Sequence, residues 1–192
     1  MGFAALSLPA AAATETWQID PAHSAAQFTV RHMMISNVKG EFGKVAGSVQ
    51  YDPADASKTA IEATIDATSL NTRVEQRDNH LKSADFFDVA KYPALIFKSK
   101  RAESGGPGKL RLVGDLTMHG TTREVTLDVV GPTQAIKDQQ GNLHMGASAS
   151  GTINRKDWGL TWNRAMDGGG VVVGDEVAIA IDVELIKRTP AK

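Results

Sequence analysis

The sequence predicts an all-β fold, an eight-stranded antiparallel barrel with one short inserted helix. Apolar and polar residues alternate over most of the chain, which is the pattern of strands that bury one face. Turns rich in Gly, Asn or Asp-Pro separate the successive runs, as in strands joined by hairpins. A sheet of about eight such strands can close on itself, which removes its open edges and leaves an interior for side chains or one small ligand.

The first four alternating runs cover the chain up to residue 67. Residues 16–19 form a short strand that ends at Asp20-Pro21. Between Gly40 and Tyr51 the inward positions shift register near Gly43, which predicts a bulge, and residues 61–67 form a half-buried strand. The second run has four inward-facing residues, Ala26, Phe28, Val30 and His32. Phe42 is the first inward-facing residue of the third run.

Residues 72–93 interrupt the strand pattern. Helical spacing of Val74, Arg77, Asp78 and Leu81 predicts a helix over 73–83. Four side chains here have the residue types of acid-base catalysis: Arg77, Asp78, His80 and Asp85. The stronger interpretation is a charge-paired staple that fixes the helix over one end of the barrel, with Phe86 and Phe87 as its apolar plug.

Five further strands follow Pro93. They are predicted at 94–100, 110–118, 121–130, 143–153 and 177–185, with a turn at His119-Gly120 and a glycine loop at 168–170. Phe97, Leu116 and Met118 face inward on the first two of these strands. The fourth strand has small inward residues at Ala147, Ala149 and Gly151, which leave room for a cavity in the barrel.

Composition restricts the function. Lys and Arg number 21 against 22 for Asp and Glu, with no long block of either sign, so binding to nucleic acid or to an anionic membrane surface is not expected. The 5 histidines show no metal-ligand spacing, which predicts no metal site. Asp20, His23 and Ser24 are too close in sequence for a catalytic triad and indicate a hydrogen-bonded turn.

The N-terminus predicts export. Residues 3–8 are apolar and residues 10–13 are small, as in a partial signal peptide, with an apolar tail as the alternative. We therefore expect residues 14–192 to form a single exported barrel domain.

Motifs along nearly the whole chain resemble the YceI-like family. They include Asp20-Pro21-Ala22-His23-Ser24, Arg77-Asp78-Asn79-His80-Leu81, Asp85-Phe86-Phe87-Asp88, Gly114-Asp115-Leu116-Thr117-Met118-His119-Gly120 and Ile153-Asn154-Arg155-Lys156-Asp157-Trp158-Gly159. The resemblance spans Trp17 to about Lys187. Trp158 departs from the Phe that the family usually has, and with Trp162 it places two indoles near the glycine loop.

The resemblance implies a lipocalin-like barrel that binds a polyisoprenoid lipid, and it implies no catalytic residue. We accordingly predict a periplasmic carrier, not an enzyme, with a long-chain isoprenoid such as an isoprenoid quinone as ligand, no cofactor and no metal. One alternative is an enzyme that acts on such a lipid, and another is a module that docks on a membrane redox protein. The enzyme would act through Arg77, Asp78, His80 and Asp85. Contact with a membrane surface and a homodimer are left open. The predicted lipid-binding residues are Phe28, Val30, His32, Phe42, Phe86, Phe87, Phe97, Leu116, Met118, Ala147, Ala149, Gly151, Trp158 and Trp162.

Overall fold

The computed structural model describes residues 14–188, so the predicted export signal at residues 1–13 lies outside the described residues. It contains twelve strands and one α-helix, α1 (Glu75–Lys82). The strands are β1 (Glu15–Ile19), β2 (Ala25–His32), β3 (Ser36–Phe42), β4 (Val45–Tyr51), β5 (Ala60–Asp66), β6 (Leu70–Asn71), β7 (Ala94–Ser104), β8 (Lys109–Met118), β9 (Thr121–Val130), β10 (Ile136–Lys137), β11 (Leu143–Asn154) and β12 (Val173–Lys187). Short 3-10 helices lie at Ala56–Lys58, Ala67–Ser69 and Arg155–Trp158.

Eight of the strands close into a ring, which confirms the predicted fold class. The order around the ring is β11-β9-β8-β7-β5-β4-β1-β12, and β12 returns to β11 along an antiparallel register from Leu143↔Lys187 to Asn154↔Glu176. Every strand pair is antiparallel. The inward faces therefore meet in one enclosed interior.

Strand β12 organises one end of this barrel. One of its edges pairs with β11 over residues 176–187, and the other is shared between β1 at residues 185–186 and β2 at residues 173–182. Strands β3 and β6 continue the sheet from β2. Segment 72–93 then leads from β6 to β7 and packs Leu81, Phe86 and Phe87 against the core at this end.

The bulge predicted near Gly43 is instead a break between two strands. The chain leaves β3, which pairs with β2 and β6, and enters β4, which pairs with β1 and β5. Because the partners change completely across Gly43-Lys44, no single ladder continues through these residues. The pattern of inward side chains resembles a bulge since both strands face the same interior.

The predicted helix is confirmed. It begins two residues later and ends one residue earlier than expected. Arg73 has a left-handed backbone with φ 66°, and Ser83 returns to an extended conformation, so neither residue continues the helix. Strands β6 and β10 were not predicted, because two residues are too few to show a period. Among residues 14–188, no helix has the length and apolar character needed to cross a bilayer.

Candidate functional site

The barrel interior contains an apolar cavity of about 140 Å³ at the end covered by segment 72–93. We call it the first cavity. It is enclosed by side chains from β2, β3, β5, β7, β8, β9, β11 and β12, and by Leu81 of α1. Eight of the predicted lipid-binding residues line it: Phe28, Val30, Phe42, Phe86, Phe87, Phe97, Leu116 and Met118. Aromatic rings contribute much of this wall, with Phe42 and Phe87 in edge-to-face contact at 5.5 Å.

A second apolar cavity, of about 120 Å³, occupies the other end of the barrel. Ala147 and Ala149 line it, as the small residues of β11 suggested, together with Leu112 and Met145. The walls of both cavities are almost entirely hydrocarbon. A polar ligand that enters would lose its hydrogen bonds to water and find no hydrogen-bond partner on the walls.

Four side chains line both cavities and therefore lie between them: Ile65, Phe97, Leu127 and Ile181. We call these four residues the waist. Phe97 lies at the waist because its partner strand carries Gly114, where an added Cβ would come within 2.6 Å of the phenyl ring. A cavity of about 150 Å³ lined by aliphatic and aromatic residues holds one benzene molecule. Each cavity accordingly fits an apolar group of about that size, and a longer chain has to displace the waist.

Four other predicted lipid-binding residues do not line either cavity. His32 lies half-buried at the end of β2, opposite Ser36 and Val173. An added Cβ on Gly151 would lie 2.9 Å from Leu127 Cδ2, so this position faces the neighbouring strand and not open space. The two tryptophans are core residues at the covered end. Trp158 is buried and donates from Nε1 to the Leu116 carbonyl at 3.0 Å, and Trp162 packs on His80 and Phe86.

Arg155 is a charged residue on the wall of the first cavity that the pattern analysis did not single out. The residue is 3% exposed. Burial lowers the pKa of the guanidinium, whereas the negative charge of Asp175 acts to raise that pKa. Its Nε donates to the Gly174 carbonyl at 2.9 Å and Nη1 donates to the Leu160 carbonyl. These bonds tie the 3-10 helix after β11 to the start of β12, so Arg155 presents mainly its aliphatic stem to the cavity.

The four residues of the predicted staple are hydrogen-bonded, but through other partners than the charge pairs expected. Arg77 donates from Nε to Thr72 Oγ1 at 2.7 Å and from Nη2 to the Thr72 carbonyl at 2.8 Å. Asp78 Oδ1 accepts from the backbone N–H and the hydroxyl of the same Thr72. His80 pairs separately with Asp85, at 3.0 Å. Thr72 is therefore the centre of the staple, which residue types alone did not reveal because a threonine in a loop has no distinguishing pattern.

Replacing Thr72 with Val is expected to lower the free energy of unfolding by about 1–3 kcal/mol. Thr72 is 4% exposed, so the valine would leave the Arg77 Nε–H and one Asp78 lone pair without their buried partner. Urea denaturation measures the loss. Thr68→Val is the matched control, because Thr68 also bonds an aspartate but lies exposed. Equal losses in the two variants would contradict a central role for Thr72.

The opposite end of the barrel carries a polar cluster. Asp20, His23 and Glu184 place one ligand atom each within 4.8 Å of one another, which spacing along the sequence could not show. One imidazole and two carboxylates are ligands that a divalent cation accepts. Each of them is already hydrogen-bonded: His23 Nδ1 lies 2.9 Å from Asp20 Oδ2, and Glu184 Oε1 lies 2.7 Å from His144 Nδ1. These hydrogen bonds join the cluster to His144 of β11.

His144 links this network to the loop before β11, since its Nε2 lies 3.0 Å from Asp138 Oδ2. Hydrogen bonds to Asp138 and then Glu184 raise the pKa of His144 above its ordinary value of 6.5. The same contact with His144 is the largest cause that lowers the pKa of Asp138 to about 2. His144 thus holds its proton more firmly in the folded chain than in the unfolded chain.

We expect His144→Gln to lower the melting temperature more in acidic than in alkaline buffer. A raised folded-state pKa stabilises the fold fully below about pH 6.5, and this contribution is lost as the pH rises through the folded-state value. Melting curves of wild type and variant across this range measure the difference. Asp138→Asn, which removes the largest cause of the shift, should reduce the same pH dependence. A deficit that stays constant with pH would contradict the linkage.

The chain is similar to known proteins in both sequence and structure. A family model described as the YceI-like domain matches residues 17–185. A UPF0312 protein of Staphylococcus aureus (strain N315) is 38% identical over 86% of this chain and 94% of its own. The solved YCEI protein of Campylobacter jejuni is 31% identical over 83% of this chain and 90% of its own, with a TM-score of 0.69. A polyisoprenoid binding domain from Saccharophagus degradans shares the fold with a TM-score of 0.65 at 15% identity, over 90% of this chain and 98% of its own.

Proposed function

Because the chain belongs to the YceI-like domain family, we propose that it binds an isoprenoid lipid inside the barrel and carries it in the periplasm. Family membership confirms the resemblance inferred from the motifs. The observation that carries the proposal is the pair of apolar cavities arranged end to end across the waist. A linear hydrocarbon that crosses the waist would be in contact with both.

The lining matches an isoprenoid in chemistry. At about 0.8 kcal/mol per buried CH₂, each five-carbon unit contributes roughly 3–4 kcal/mol of gross driving force. Ordering the flexible chain and losing its free motion offset much of this sum. Aromatic and branched aliphatic side chains on the walls suit a branched, unsaturated chain, and the absence of directional polar groups makes length and shape the properties that select the ligand.

The Saccharophagus domain is described as a polyisoprenoid binding domain. At 15% identity, its similarity to this chain concerns the fold alone. We therefore propose the same class of ligand from the lining of the two cavities. Export is proposed from the apolar residues 3–8 and small residues 10–13 that precede the described chain. The proposed role is binding and not catalysis, because Arg77, Asp78, His80 and Asp85 do not line either cavity and are bonded within segment 72–85.

Native mass spectrometry of protein purified from its own host tests the proposal. We expect a bound mass that organic extraction releases as a prenyl chain or an isoprenoid quinone. Protein stripped of ligand should then take up an isoprenoid alcohol from detergent micelles. Protein that is reproducibly empty and also takes up no isoprenoid alcohol would overturn the proposal.

A further inference from the structure

The hairpin between β2 and β3 ends in three consecutive exposed apolar residues. Met33, Met34 and Ile35 are 42%, 53% and 75% exposed, respectively. We call these three residues the apolar tip. Exposed apolar residues are ordinary when single, but three adjacent ones at the end of a hairpin form a projecting patch.

The backbone of the apolar tip makes the choice of residues unusual. Met33 and Met34 have φ values of 49° and 61°, and the Ile35 N–H donates to the His32 carbonyl at 3.1 Å. Two successive residues with positive φ inside a hairpin turn are ordinarily Asn-Gly, which is both polar and free of steric cost there. Two methionines occupy these positions at a cost in backbone energy and in exposed hydrocarbon. Retention of such a cost points to a role for the side chains.

The apolar tip lies at the end of the first cavity. The Met33 N–H donates to the Val172 carbonyl at 2.8 Å, and the next residue, Val173, both pairs with His32 and lines the first cavity. Val30, three residues before Met33, lines the same cavity. A ligand that enters or leaves at this end therefore passes close to the apolar tip.

The glycine loop extends the apolar surface beside the tip. An added Cβ on Gly170 would lie 3.6 Å from Met34 Cγ and 3.2 Å from Met166 Cε, so the two methionines flank this glycine. Met166 is half-buried at this site. The open glycine backbone lets both side chains approach the same side of the loop.

Charge near the apolar tip favours an anionic surface. Residues 31–39 include two exposed cations, Arg31 and Lys39, and no carboxylate, and the adjoining glycine loop adds one exposed residue of each sign, Arg164 and Asp167, although the chain as a whole has a net charge of −1. Whole-chain charge argued against binding to an anionic membrane surface. A local contact needs only a few apolar side chains beside a few cations, because insertion and attraction to anionic headgroups add.

From these observations we propose that the apolar tip inserts into the surface of an anionic phospholipid bilayer and positions the first cavity for exchange of its ligand. The inference rests on the proposed lipid-binding function and adds the surface from which the ligand comes. Three side chains are too few for a stable protein interface, which buries about 1,200 Å² or more. They suffice for a reversible bilayer contact.

The test uses wild-type protein and vesicles of phosphatidylethanolamine and phosphatidylglycerol, with pure phosphatidylcholine vesicles as the uncharged comparison. Wild type should co-sediment with the anionic vesicles and less with the uncharged ones. Met33→Asn with Met34→Gly should reduce the partition coefficient by about tenfold or more. Because Asn-Gly suits this turn, the double variant should melt no lower than wild type. Ile136→Asn is the matched control, since Ile136 is 69% exposed on β10 and should leave the partition unchanged.

The outcomes separate this inference from the proposed function. Ligand uptake from detergent micelles should be retained in the double variant, whereas transfer from vesicles should slow. The membrane contact would be overturned if wild type did not bind the vesicles, or if the double variant bound them equally well. Either result would leave the proposal of lipid binding inside the barrel unaffected. Self-association in sedimentation velocity that the double variant abolishes would also overturn it, by assigning the apolar tip to a second copy of the chain.

Discussion

Substituting Phe for Ala149 is expected to reduce uptake of an isoprenoid ligand by at least about tenfold. Ala149 lines the second cavity, whose volume of about 120 Å³ is close to that which holds a benzene molecule. A phenyl ring at this position would fill the space that the distal part of the ligand needs. Overpacking costs about 1–3 kcal/mol of stability, which leaves the barrel folded. Native mass spectrometry after incubation with an isoprenoid alcohol measures the loss.

Ala180→Phe is the matched control for this substitution. Ala180 lies on β12, one residue from Ile181 of the waist, and its side chain is exposed on the outer face of the barrel. The same added volume should leave uptake unchanged there. If Ala149→Phe bound as much ligand as Ala180→Phe, the second cavity would be unfilled core and not part of the binding site.

Phe97→Ala is expected to join the two cavities and to shift the bound ligand toward longer chains. The ring of Phe97 is the largest side chain of the waist, and Gly114 beside it has no side chain that could take its place. Removing a buried ring costs about 3–5 kcal/mol, a large part of the stability of a typical domain. Ligand length is measured by mass spectrometry after exposure to a mixture of isoprenoid alcohols, and unfolding by urea.

Two further variants keep this experiment decisive. Leu112→Ala enlarges the second cavity without opening the waist, so it should cost about 2–5 kcal/mol but leave the length distribution unchanged. Phe97→Leu retains more of the core and should show a smaller shift in the same direction if the alanine variant is too unstable. An identical ligand distribution in Phe97→Ala and Leu112→Ala would show that the waist does not control chain length.

Much of the fold could be predicted because local sequence determines which face of a strand is buried. The alternation in 110–118 and 121–130 matches β8 and β9 to within a residue, and helical spacing placed α1 within two residues. The break at Gly43-Lys44 could not be predicted, since it reflects a change of strand partners and not a change in local pattern. Strand β10 could not be predicted either, because its two residues are too few to show a period.

Most inward-facing residues of the strands lie where their alternation placed them. Phe28, Phe42 and Leu116 face the first cavity as their alternation indicated. Trp158 is the last residue of a 3-10 helix, where no alternation applies, and its indole bonds a strand 42 residues away, so strand parity could not place it. Gly151 was placed in the cavity from its parity, but β9 lies too close to it for any side chain.

The sequence by itself determined an all-β barrel, its single helix, the apolar character of its interior and its family, since all of these depend on side-chain patterns and motifs read along one chain. Tertiary structure alone decided the division of that interior by the waist, the convergence of Asp20, His23 and Glu184, and the position of the apolar tip beside the first cavity. Each of these brings together residues far apart in the chain. Their proximity depends on strand order and register, which arise when the barrel closes.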